Sequence, residues 1–120
     1  MIVDRIREKV RSGMIIPKPE AKADFVVKGW GLRRAERALI YTIPNHNNPE
    51  KPYKKGITDS EFELAYQQLQ RSGEITRAWF DEKLPACNKE GSCNFTTVGG
   101  IFELLGEATY SGRGAYQLRR

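Results

Sequence analysis

Apolar and polar positions along this chain repeat at helical spacing in four stretches and at strand spacing in four others. Near the N-terminus, Ile2, Val3, Ile6 and Val10 fall on one helical face, with Arg5, Arg7, Glu8, Lys9 and Arg11 opposite, and Ser12-Gly13 ends the helix. Pro17 and Pro19 forbid helix and central strand, so residues 14–22 read as an extended connector that can use Ile15 and Ile16 as an anchor. Residues 23–30 (through Phe25, Val26 and Val27) and 37–43 read as strands. The eight residues from Gly29 to Glu36 form a loop of hairpin length between them. Residues 44–56 carry three prolines and three asparagines and read as a surface loop.

The strongest local signal begins at Thr58. Thr58-Asp59-Ser60-Glu61 is a capping box, in which the Thr58 hydroxyl accepts from the Glu61 N–H and the Glu61 side chain reaches back to the Thr58 N–H. Ile57 and Phe62 flank it as a hydrophobic staple. Phe62, Ala65, Tyr66 and Leu69 continue at helical spacing, and Ser72-Gly73 closes the helix. A second helix opens at Thr76, presents Trp79, Phe80 and Leu84, and stops at Pro85; residues 87–93 follow as a turn-rich loop. Thr96 or Thr97 caps a third helix built on Val98, Ile101, Phe102, Leu104 and Leu105. Gly99-Gly100 inside it costs about 1 kcal/mol per glycine relative to alanine, which points to a frayed first turn or to another backbone passing close. Strands at 107–110 and 115–118 surround the turn Ser111-Gly112-Arg113-Gly114.

This order of capped helix, Gly-Glu-Ile-Thr turn (Gly73 to Thr76), helix, helix and hairpin ending in Tyr116-Gln117-Leu118 resembles the winged helix-turn-helix superfamily over residues 58–118. The resemblance implies a third helix in the DNA major groove and a hairpin, with Arg113 at its tip, on the backbone or minor groove. The chain departs from that pattern in one respect. Between Thr97 and Gly106 the third helix offers no Arg, Lys, Asn or Gln to read bases. The fold expected is therefore α+β, one domain over residues 1–120, with an N-terminal helix and β-hairpin (1–45) packed on a three-helix winged-helix-like unit (57–118) that ends in a hairpin. An open alternative is that residues 1–45 pack on a second copy of the chain.

Charge sharpens the picture. Net charge is +5, and the surplus lies in the first third: residues 1–45 hold ten Lys/Arg and five Asp/Glu, whereas residues 46–120 hold ten of each. A basic surface attracts polyanions, nucleic acid first, because each neutralised phosphate releases a counterion. The patch that best fits is Lys28, Trp30, Arg33, Arg34 and Arg37, joined by Arg113: guanidinium groups pair with phosphate, and an indole between glycines can stack on a base. The bland alternative is a solvated hairpin tip, with Trp30 folded back as a lid on the core and Arg34 or Arg37 paired to Glu36 or Asp24. Lys51, Tyr53, Lys54 and Lys55 extend the basic surface if their loop bends toward it.

Other chemistry finds little support. Cys87 and Cys93 are six apart without a second pair, and His46 is the one histidine, so no metal site is expected and two reduced thiols are. No nucleophile elbow, P-loop or acidic nuclease cluster is present, so neither an enzyme nor a cofactor is expected. No run reaches the roughly 18 apolar residues of a membrane span. The charged N-terminus does not read as a signal peptide, and the expected location is the cytoplasm. Two functional expectations follow: a DNA-binding or other nucleic-acid-binding protein of weak sequence selectivity, or a protein–protein module, including a homodimer, that uses Trp30, Tyr53 and the apolar faces of its hairpin.

Overall fold

Thr58 is the joint of the molecule. It is the last residue of one strand and the cap of the helix that follows, and it is fully buried. The computed structural model describes residues 1–119. In chain order they form α1 (Ile2–Lys9), β1 (Ile15–Ile16), β2 (Phe25–Arg33), β3 (Glu36–Ile43), β4 (Tyr53–Thr58), α2 (Asp59–Ser72), β5 (Glu74–Thr76), α3 (Arg77–Lys83), α4 (Pro85–Glu90), α5 (Asn94–Leu104), β6 (Ala108–Gly112) and β7 (Ala115–Leu118). The strands make two antiparallel sheets, one ordered β1-β2-β3-β4 and the other β5-β7-β6.

The capping box is present at both ends of its exchange: Glu61 N–H donates to Thr58 Oγ1 at 3.3 Å, and Thr58 N–H donates to Glu61 Oε1 at 2.8 Å. Gly73 ends α2 in the left-handed conformation with φ of 83°, which a residue without Cβ adopts freely. Thr76 caps α3 through its bond from the Trp79 N–H.

Four sequence expectations change. The loop expected from Gly29 to Glu36 is instead strand on both sides of a two-residue turn, Arg34-Ala35, with φ of 50° and 61°. Those angles are the type I′ geometry that matches strand twist, here without the usual Asn or Gly. Residues 53–58, read mostly as loop, form the edge strand β4, and lysines at 54 and 55 suit an unpaired edge. The loop expected at 87–93 is largely α4, for Pro85 does not only stop one helix but sits at the first turn of the next. α5 begins at Asn94 rather than at Thr96 or Thr97.

One hydrophobic cluster spans both halves of the chain, from Ile2, Val3, Ile6 and Ile16 through Leu39, Tyr41 and Ile57 to Phe95, Phe102 and Tyr116. Residues 1–45 therefore pack on the rest of their own chain. The glycine pair marks where that packing is tightest. A Cβ on Gly99 would lie 2.1–2.4 Å from the Tyr116 ring, and one on Gly100 would lie 2.4 Å from the Pro17 carbonyl oxygen. Of the two readings of Gly99-Gly100, close approach is the one observed. Ile16 is buried beside Gly100 whereas Ile15 is exposed, so the anchor is one residue and not two.

Candidate nucleic-acid interface

The arginines of the first hairpin are held by acids. Arg34 Nη2 and Nε donate to the two oxygens of Glu61 at 2.7 and 2.8 Å, Nη1 donates to Glu90 at 2.6 Å, and Nη2 also reaches the Gly56 carbonyl at 2.9 Å. Arg33 Nε donates to the other oxygen of Glu90 at 3.0 Å, and Arg37 grips Asp59 at 2.6–2.8 Å. Burial alone would lower the Arg34 pKa, but its bonds to Glu61 and Glu90 outweigh that and raise it. Burial likewise favours a neutral Glu61, yet the Arg34 bond and the Thr58 N–H hold its carboxyl below the usual range. Three of the six sequence-selected residues are thus engaged with carboxylates from α2 and α4. None of these acids is among the partners expected from sequence, Glu36 and Asp24.

Trp30 lies on the inner face of the sheet opposite Leu39 and packs against the core, with the Arg37 guanidinium 5.7 Å from its ring. Arg113 is exposed at the tip of the β6–β7 hairpin, between Gly112 and Gly114. Both hairpin tips contact the segment at residues 90–92: Arg33 and Arg34 through Glu90, and the second tip through Arg77, whose N–H donates to the Gly114 carbonyl and whose guanidinium donates to the Ser92 carbonyl at 2.6 Å.

Lys28 behaves differently. A β-bulge between Val27 and Gly29 sets it on the exposed outer face of the sheet, within reach of Lys54 on β4. The close approach of the Lys54 amine, then like-charge repulsion, holds the Lys28 pKa below the usual lysine range. Among the described residues neither lysine has a carboxylate partner. Between them the sheet presents Gly29 and Gly31, which carry no side chain. Gly29 and Gly56 pair with Ile40 from either side, and a Cβ on Gly56 would come within 2.9 Å of the Ile40 side chain. The result is a trough of about 410 Å³ floored by Ile40 and glycine backbone, with Lys28, Lys54 and Arg33 on its rim. Lys54 was legible only as a loop lysine, because nothing in the sequence pairs β4 with β3.

The third helix of the sequence reading, α5, is covered on nearly all sides. Asn94, Phe95 and every residue from Thr97 to Phe102 are buried. The Tyr41 hydroxyl donates to Asn94 Oδ1 at 2.6 Å, and Asn94 Nδ2 donates to the Cys87 carbonyl at 2.8 Å, tying the first sheet to α4 and α5. Both cysteines are free thiols, and burial pushes the Cys87 pKa up. No group of metal-ligating side chains and no helix long and apolar enough to cross a membrane occurs among the described residues. Comparison with family models, with curated proteins and with solved structures finds no match.

Proposed function

We propose that the protein binds nucleic acid through the phosphate backbone, with Lys28 and Lys54 as the principal contacts and Arg113 as a peripheral one. The observation that carries this reading is the pair of ammonium groups set side by side on an uncovered sheet face without a carboxylate between them. Like charges held together repel, and a phosphate placed between them converts that repulsion into two charge-assisted hydrogen bonds. Arg33, Arg34 and Arg37 would have to leave acidic partners to do the same, so their role is to hold the hairpin.

The order α2, β5, α3, α4, α5, β6, β7 and the strand order β5-β7-β6 support a winged-helix-like arrangement for residues 57–118, with α4 as an extra short helix before the third. With α5 buried, such a unit serves here as scaffold and does not read bases. Binding is then weakly selective for sequence and strongly dependent on salt.

Fluorescence anisotropy with a labelled duplex and a labelled single strand, starting at about 50 mM salt, tests the proposal. Lys28→Ala and Lys54→Ala should each weaken binding and lower the log–log salt slope by about 1. Absence of binding at that salt, or a slope unchanged in the double variant, refutes it. A rival reading, a homodimer or other protein contact, draws on Leu32 and Tyr53, which are 71% and 52% exposed. Light scattering that finds a monomer at every concentration removes the homodimer.

A further inference from the structure

A second concave site lies away from the trough, where the connector at 18–21, the start of α3, the start of α5 and the second hairpin meet. The cleft measures about 290 Å³, and its walls include Lys18, Phe25, Arg77, Phe95 and Tyr110, with the Glu20 carboxylate also on its lining and paired to neither cation. Two cations face it, and neither has a carboxylate partner among the described residues. Lys18 Nζ donates only to neutral oxygens: the Cys93 carbonyl at 2.9 Å, Thr96 Oγ1 at 2.9 Å and Thr97 Oγ1 at 2.7 Å. It sits 4.2 Å from the centre of the Phe25 ring. Arg77 lies 4.8 Å from the centre of the Phe95 ring and spends one N–H on the Ser92 carbonyl. Lys18 thus spends all three of its N–H groups and offers an anion its charge, whereas Arg77 keeps guanidinium donors free. A positive pair on aromatic faces, lining one cleft, suits a ligand that brings negative charge and a flat body.

We infer that this cleft binds a small organic anion, with its carboxylate or phosphate hydrogen-bonded by Arg77 and held by the charge of Lys18, and its apolar part against Phe25 and Phe95. The site is distinct from the sheet trough and does not depend on the nucleic-acid reading. Burial, offset in part by Cys93 and reinforced by Arg77, lowers the Lys18 pKa to about 7. A bound anion would hold the proton on Lys18, so binding takes up a proton near neutrality.

Amide NMR titrations of the full chain with benzoate, phenyl phosphate and benzamide test the site. Saturable shifts confined to residues around Thr96, Tyr110 and Gly114 with either anion support it, and which anion binds separates a carboxylate from a phosphate site. Arg77→Gln should weaken that binding about tenfold, the loss of one charge-assisted bond. No saturable shift with either anion, equal binding of benzamide, or Arg77→Gln binding within twofold of the parent overturns the inference. Benzoate affinity should fall as pH rises from about 6 to about 8, as Lys18 loses its proton. The other titratable groups around Lys18 are Cys93, Tyr41, Tyr110 and Glu20, besides the permanent charge of Arg77. Cys93→Ser should keep the pH dependence, and Lys18→Met should abolish it. Should Lys18→Met fail to fold, Arg77→Gln decides alone.

Discussion

Replacing Arg34 by Met tests whether the first hairpin is held by charge. The side chain is 22% exposed, and the carboxylates of Glu61 and Glu90 that it meets are 9% and 18% exposed. Removing one member of a buried ion pair costs about 3–5 kcal/mol, mostly because the partner is left charged and dry. Partial solvent access at Arg34 and Glu90 lets water screen part of that, and about 2–4 kcal/mol is the expected loss. For a domain of this size the melting temperature should fall by about 10 °C or more. Urea denaturation at neutral pH measures the free energy directly.

The sign of the pH dependence is fixed by Glu61. Its folded pKa is lower than its unfolded one, so its stabilisation is complete above the unfolded value of about 4.3 and is lost as pH falls through the folded value. In Arg34→Met the same carboxylate is buried without its cation and gains stability by taking up a proton. The gap between parent and variant must therefore narrow toward pH 4. Adding Glu61→Gln to Arg34→Met should recover part of the loss, since the amide oxygen can still accept from the Thr58 N–H and carries no charge. A loss under about 1 kcal/mol at neutral pH, or a gap that widens in acid, would refute the account.

Gly99→Ala should destabilise by about 3 kcal/mol or more, because the Tyr116 ring lies within 2.4 Å of the new methyl and is itself fully buried. A melt within 5 °C of the parent would contradict the packing. In thiol labelling of the native protein, half-exposed Cys93 should react well before Cys87, which is fully buried and whose pKa burial raises. Equal rates for the two would mean that α4 opens locally.

How far the sequence could lead is clear from particular elements. The capping box at Thr58, the cap at Thr76 and the final hairpin were legible because one short segment contains both donor and acceptor, or both flanking strands. The Arg34-Ala35 turn was not, since neither residue favours a left-handed backbone; contacts to Glu61, Glu90 and Gly56 hold Arg34 there, and these are 22–56 residues distant in sequence. β4 was missed for a related reason. Lysines and glycine do not advertise a strand, and pairing with β3 supplies the structure from outside. The candidate site followed the same division. Lys28 was legible as a basic residue on a hairpin, whereas Lys54 joined it only through a neighbouring strand. The basic surplus of residues 1–45 was legible in number, but Arg33, Arg34 and Arg37 answer acids on α2 and α4.

The crossing of Pro17 over Gly100 constrains what evolution can do with this chain. Backbone meets helix there with no side chain between, and one position earlier an aromatic ring occupies the same kind of gap. Any relative that keeps the architecture must forgo a methyl group at two successive helical sites, or else move the connector and shrink the ring together. A paired glycine, with an aromatic residue downstream and a proline-flanked isoleucine far upstream, is thus a fingerprint by which distant kin could be found when overall similarity has faded.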